Sequence, residues 1–148
     1  MTETSGQTFR ERALADGRAS GAALVLTAPL SFWGGLDPAT GRITDQRHPQ
    51  RDVIVTGRIL AMPGGRGSSS SSSVLAEAIR AGTAPAAILL REPDLIIALG
   101  AHVAAELYEH LVPIVVISAA CYATIADGDA ISIVAADDTA TIEVVRTG

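Results

Sequence analysis

Apolar residues fall in short runs, punctuated by glycine, proline and aspartate, and the period of the runs changes along the chain. Partial alternation over 8–15, ending at Asp16-Gly17, predicts a first strand, and 21–27, closed by Pro29, predicts a second. A turn-rich stretch follows, with Asp37-Pro38 opening and Gly41 closing a turn. The pattern then predicts short strands over 42–45 and 52–60, separated by the breaker Gln46-Arg-His-Pro49. Residues 74–82 read as helix and 86–90 as strand, and Asp94 is placed to cap a helix over 95–108. Strands over 112–118, 128–134 and 139–145 complete the chain, the second opening at an Asp127-Gly128 turn. Several short strands with about two main helices predict a single α/β domain of mixed strand order, with a flexible N-terminus over 1–7.

Between the strand at 52–60 and the helix at 74–82 lies Ala61-Met-Pro-Gly-Gly-Arg-Gly-Ser-Ser-Ser-Ser-Ser-Ser73, a glycine turn running into six serines. Strand, glycine turn and a helix opening on hydroxyls would gather free backbone N–H groups in front of the positive end of a helix dipole. Such a place suits a carboxylate, a phosphate or a serine oxygen made to carry negative charge. The same letters also suit a flexible tether or a set of N-caps. Apolar density on both sides argues against a tether, which would divide a chain too short for two cores.

With 148 residues, 48% of them hydrophobic but only 3% aromatic, the core must be built from Ala, Val, Ile and Leu. The net charge is −5 and every Lys or Arg position is arginine, so no basic cluster invites nucleic acid. One cysteine, Cys121, allows no internal disulfide and fits a reducing compartment. Neither a secretory leader nor a membrane-spanning run is readable, and the expectation is a soluble, cytoplasmic protein with no membrane partner.

Several chemistries fail on inspection. A phosphate-binding Walker loop needs a lysine, which this chain lacks, and Gly65-x-Gly67 has no third glycine at dinucleotide-binding spacing. Cys121 has no partner at metal-ligand spacing, so no metal site is assigned, and a buried structural thiol is the favoured reading. His48, His102 and His110 are scattered, without a Ser/His/Asp arrangement. Either the chain binds something, or it supplies part of a site that another chain completes.

Three segments in order, Leu30-Ser-Phe-Trp-Gly-Gly-Leu-Asp-Pro-Ala-Thr-Gly41 running on to His48-Pro49, Pro63-Gly-Gly-Arg-Gly-Ser-Ser-Ser-Ser-Ser-Ser73, and Arg91-Glu-Pro-Asp-Leu-Ile-Ile-Ala-Leu-Gly100, resemble the small, swivelling subunit of aconitase X enzymes. The resemblance covers roughly residues 8–147. It implies a single swivelling β/β/α domain with mixed sheets, docked on a large subunit that holds an iron or iron–sulfur centre, with no cofactor bound by this chain. It implies a hydro-lyase that dehydrates a small hydroxy acid: cis-3-hydroxy-L-proline, or alternatively mevalonate 5-phosphate. The scarcity of cationic groups favours the former.

By the same resemblance Ser68 is the catalytic base, with Ser69 the alternative. Gly65, Arg66, Gly67 and Ser69 shape the pocket, and Ser31, Phe32, Trp33, Gly34 and Asp37 form the other substrate-facing segment. The chain departs from the family at 118–124 and at His102. Dehydration beside a carboxylate requires removing a weakly acidic Cα proton and expelling hydroxide; a Lewis-acidic iron serves the second need. Serine is a feeble base unless its alkoxide is stabilised, which helix-terminal N–H groups and a guanidinium can do. Arg66 has that role, a carboxylate clamp or a solvated turn as its alternatives. Trp33 is either core or ligand-facing, Asp37 either turn initiator or substrate contact, and Arg47 and His48 either loop supports or anion ligands. The competing readings are a mobile phosphotransfer or anion-binding domain, against which Leu99 stands where a phosphorylated histidine is expected, and a non-catalytic assembly module.

Overall fold

The computed structural model describes residues 6–65 and 69–146. The described elements are β1 (Gly6–Ala15), β2 (Gly17–Val25), α1 (Phe32–Gly35), β3 (Leu36–Asp37), β4 (Arg42–Ile43), β5 (Ile59–Met62), α2 (Ser71–Ala81), β6 (Ala87–Leu90), α3 (Leu95–Tyr108), β7 (Ile114–Val116), α4 (Ala119–Thr124), β8 (Ala130–Ala136) and β9 (Thr139–Val145). Seven strands close into a barrel in the order β1-β7-β6-β5-β2-β8-β9, with β9 returning to β1, while β3 and β4 form a separate ribbon. The α/β class and mixed strand order are those the sequence predicts; the mixed sheets are corrected to one closed barrel plus a ribbon. Closure depends on β1 pairing with β9, with Phe9 opposite Ile142, a contact between the two ends of the chain that no local pattern encodes.

The parallel strands explain the layering. β5 pairs in parallel with β2 and β6, and β6 with β7. Their residues alternate between two apolar environments. Ile59, Ala61, Ala87, Leu89 and Val115 fill the barrel, whereas Leu60, Met62, Ile88, Leu90 and Ile114 face a second core. Helices α2 and α3 cover that outer face through Leu75, Ile79, Ile97 and Ala101. Strands buried on both sides read as unbroken apolar runs. The alanines at positions 13, 23, 61 and 87 keep the barrel interior narrow, so aliphatic side chains fill it without aromatic bulk.

The strand predicted over 52–60 is corrected: only its last residues belong to β5, which continues through Met62. Residues 53–55 instead run beside β4, after a turn at Asp52, with Asp52 N–H donating to Ile43 O at 2.8 Å and Val55 N–H to Gly41 O at 2.8 Å. Val55 is buried there and Ile54 exposed, so the segment alternates like a strand without joining the barrel. Helix α2 begins at Ser71 rather than 74 and ends at Gly82, whose φ of 79° is the left-handed conformation glycine favours. Helix α3 spans its predicted range, with Asp94 Oδ1 accepting the N–H groups of Ile96 and Ile97, both at 3.0 Å.

Helix α4 has no counterpart in the sequence reading. Ser118 caps it by accepting Cys121 N–H at 3.1 Å, and Glu11 on β1 accepts both the N–H and the hydroxyl of Ser118 at 3.0 Å. This arrangement drives Cys121 into the barrel core, where burial first, and the Glu11 charge second, push its thiol up to about 12. The folded state therefore keeps a proton that the unfolded chain releases near the ordinary value of 9.0. Stability from this group is complete below that pH and declines as pH rises toward about 12. Native protein at pH 8 should resist maleimide labelling at Cys121 and label fully in denaturant, and Cys121→Ala should flatten the loss of stability above pH 9 seen by chemical denaturation. Rapid native labelling would contradict the buried placement.

Candidate functional site at the carboxyl ends of the parallel strands

A parallel pair cannot be joined by a tight turn, so each parallel strand hands over to a crossover. The segments leaving β2, β5 and β6 consequently emerge at one end of the barrel, and they are the three segments singled out in the sequence. The structure joins them directly. Leu30 bridges Gly65 in parallel fashion, and Trp33 N–H donates to Ser71 Oγ at 3.2 Å. A β-carbon on Gly65 would collide with the Asp94 carboxylate, and one on Gly100 would come 2.7 Å from Ser72 O. At Gly100 the space is taken by backbone, which requires glycine, and at Gly65 by the Asp94 side chain, which a β-carbon would displace.

Each predicted residue takes a definite position where the structure describes it. Trp33 is 60% exposed, while Phe32 beside it is turned into the core, so its ring cannot face a ligand. Ser31 Oγ donates to Trp33 O at 3.1 Å, and Gly34 has φ 77°. Asp37 is occupied by its own turn: Oδ1 accepts Ala39 N–H at 2.9 Å and Oδ2 the Thr40 hydroxyl at 3.0 Å. Of its two sequence readings, that geometry matches the turn initiator. Ser69 lies exposed in the turn before α2, its carbonyl accepting from Ser72 Oγ at 2.9 Å. Arg66, Gly67 and Ser68 lie outside the described residues.

The serine run does not cap its helix in the usual manner. Ser70 at the N-cap has helical φ and ψ and gives no side-chain cap, in contrast to Asp94 on α3 and Ser118 on α4. Ser71 is buried and faces the Trp33 segment, and Ser72 reaches back one turn. The hydroxyls thus tie the opening of α2 to the loops around it.

Sequence reasoning left His48 open between loop support and anion ligand and missed Gln50 and Tyr122 beneath this loop. His48 is buried, with Nδ1 accepting Gln50 N–H at 3.0 Å, which leaves Nε2 to donate to Ala28 O at 3.0 Å. Gln50 takes Val25 O at 2.6 Å and Thr27 N–H at 3.1 Å, and the Tyr122 hydroxyl donates to Leu26 O at 2.7 Å. Burial raises the Tyr122 phenol, which keeps it a donor. Three side chains therefore hold residues 25–28, the exit from β2, and His48 acts as a support instead of an anion ligand. Proximity of Asp45, His48 and Gln50 to the breaker at Pro49 was the available signal. Arg47 is exposed, with its N–H on Asp45 Oδ1. His102 stands on α3 with Nε2 on Leu14 O at 2.9 Å, near the start of β2 rather than at the site.

Among the described residues no three His, Cys, Asp or Glu side chains gather where a metal ion could be held. Large apolar side chains are exposed at this end: Trp33, Leu95 at 72% and Leu99 at 53%. The family model described as aconitase X swivel domain matches residues 8–144. The chain belongs to that family.

This aconitase X swivel domain is 55% identical over 103 residues to cis-3-hydroxy-L-proline dehydratase of Pseudomonas aeruginosa, a match covering 70% of this chain and 18% of that protein. It is 46% identical over 90 residues to the phosphomevalonate dehydratase small subunit of Methanothermobacter thermautotrophicus, covering 61% of this chain and 69% of that one. The crystal structure of Thermococcus kodakaraensis aconitase X in its holo-form superposes with a TM-score of 0.80 at 30% identity, covering 92% of this chain and 98% of that one. The chain spans about a fifth of the length of the cis-3-hydroxy-L-proline dehydratases it matches.

Trp33 is the sole tryptophan, so its emission reports on the loop. Ser71→Ala removes the acceptor for the Trp33 N–H and should cost about 1 kcal/mol in chemical denaturation. It should also lower the tryptophan anisotropy in the folded state; unchanged anisotropy would show that the hydroxyl does not hold the loop.

Proposed function

We propose that this chain is the swivelling half of an aconitase X type hydro-lyase, supplying a serine base and a substrate-facing loop to a site completed by a larger iron-binding polypeptide. The observation that carries the reading is convergence: three sequence segments that resemble the family meet at one end of the barrel, held by Leu30–Gly65, Trp33–Ser71 and Gly100–Ser72. The described side chains offer no donor set for an iron centre, so we assign that centre to the larger partner. The match to only 18% of the Pseudomonas dehydratase supports this division, because most of that polypeptide lies outside the swivel domain. Trp33, Leu95 and Leu99, exposed at the same end, provide the apolar area such a partner would cover.

In this reading Ser68, or Ser69 beside it, accepts the proton from the carbon next to the substrate carboxylate. The carbon–oxygen bond at the neighbouring carbon breaks, and the departing hydroxide is protonated to water. Ser69 and Ser70 form the turn directly ahead of α2, so the base sits within a few residues of a helix N-terminus, which stabilises negative charge on an oxygen. Arg66 either supports that charge or holds the substrate carboxylate. The substrate proposed is cis-3-hydroxy-L-proline, with mevalonate 5-phosphate the alternative; the highest-identity match reported above and the sparse cationic groups both favour the former. We place the assembled enzyme in the cytoplasm; no helix among the described residues is long and apolar enough to cross a membrane.

The chain by itself should show no dehydratase activity, and mixing with its larger partner should produce turnover of cis-3-hydroxy-L-proline together with a blue shift of Trp33 emission. Ser68→Ala should lower kcat by about 10²–10⁴-fold, the range for loss of a proton-transfer group, while leaving co-purification intact. Full activity in that variant would transfer the role to Ser69, which Ser69→Ala tests in the same assay. Activity in both variants would end the serine-base reading.

A further inference from the structure

Helix α3 carries no residue assigned to the chemistry, yet it touches the serine segment on both sides of residues 66–68. Before them, Asp94 lies against Gly65 so closely that a β-carbon there would meet Oδ2, with Ile97 Cδ1 at 3.1 Å from the same point. After them, Gly100 packs on Ser72, where a β-carbon would stand 2.7 Å from the carbonyl oxygen and 3.1 Å from Leu75 Cβ. The two oxygens of Asp94 are divided: Oδ1 accepts Ile96 and Ile97 N–H at 3.0 Å, and Oδ2 is the oxygen turned to Gly65. One carboxylate therefore caps the first turn of α3 through Oδ1 and lies against the glycine turn through Oδ2.

We propose that Asp94 is a positioning residue for the serine base, setting the path of the Gly65 turn from the rigid first turn of α3. The proposal rests on the serine-base reading above and deepens it. An ordinary N-cap would need only the Oδ1 contacts, and Asn or Ser supplies those about as well as Asp. A cap has no need for a glycine pressed against its second oxygen. The same helix meets the tract a second time where Gly100 packs on Ser72.

Asp94→Asn separates the two roles, since its carbonyl oxygen keeps the cap while an NH₂ group replaces the oxygen facing Gly65. Two readouts test it. By amide hydrogen exchange on the isolated chain, residues around the glycine turn and the start of α2 should exchange about tenfold faster, with Ile96 and Ile97 unchanged. In the assembled complex kcat should fall about 10- to 100-fold with KM nearly constant, the signature of a misplaced reacting group. Asp94→Ser, a cap with no second oxygen, should reproduce both effects. Exchange at the turn equal to wild type, or wild-type kcat despite faster exchange, would overturn the proposal. Ser68→Ala and Ser69→Ala assayed beside it keep the two ideas apart: turnover in both defeats the serine base, whereas their inactivity with a fully active Asp94→Asn defeats only the positioning role.

Discussion

Parallel pairing of β2, β5, β6 and β7 is the constraint from which the rest of the molecule follows. Because no hairpin can link parallel neighbours, the chain must leave each strand at the same end of the barrel and return by a crossover. One crossover is the Trp33 loop with its β3–β4 ribbon, one is the glycine–serine turn with α2, and one is the Asp94 cap with α3. Segments separated by dozens of residues thus become neighbours without any of them needing to find the others. Of these, β5, β6 and β7 are apolar on both faces, which binds α2 and α3 to the barrel.

At this end of the barrel small residues permit close approach and polar side chains fix the backbone. Gly65 and Gly100 let α3 lie directly on the serine segment. His48, Gln50 and Tyr122 spend their polar atoms on the backbone of residues 25–28. Each such bond contributes little net stability, about 0.5–1.5 kcal/mol, but leaving one buried partner unpaired costs more. The loop is consequently better specified than its irregular shape suggests, and the exposed Trp33 is carried on a fixed base.

Legibility from the sequence followed the locality of the determinants. Helix α3 and strand β9 were readable because cap, periodicity and alternation all lie within the element. The stretch 52–60 was misread because Val53 and Val55 alternate with Ile54 for a local reason, packing beside β4, while the true barrel strand hides its start behind the Gly57 turn at φ 70°. Barrel closure was not readable, since Phe9 and Ile142 meet across nearly the whole chain. Within the candidate site, the convergence of three segments was carried by resemblance. The turn geometry of Asp37, the buried ring of Phe32 and the supporting role of His48 required the structure, because each depends on what surrounds the residue rather than on its neighbours in sequence.

The division of polar and apolar groups argues for a shared site on its own terms. Buried polar side chains at this end, His48 and Ser71 among them, are satisfied by the chain's own backbone and are not directed at a ligand. The groups left outward are a tryptophan ring, two leucines of α3 and the serine turn. A binding site that worked alone would enclose its substrate between apolar walls with a few convergent polar groups. Here the exposed Trp33, Leu95 and Leu99 lie on the segments that flank the serine turn, an apolar area that a second surface can cover. Covering them would remove water from the serine turn, and low dielectric around an alkoxide makes helix-terminal N–H groups count for far more than they do in solvent. On the proposed reading, docking is therefore the step that turns an unreactive serine into a base, which gives a physical reason for placing the base on a separate swivelling domain.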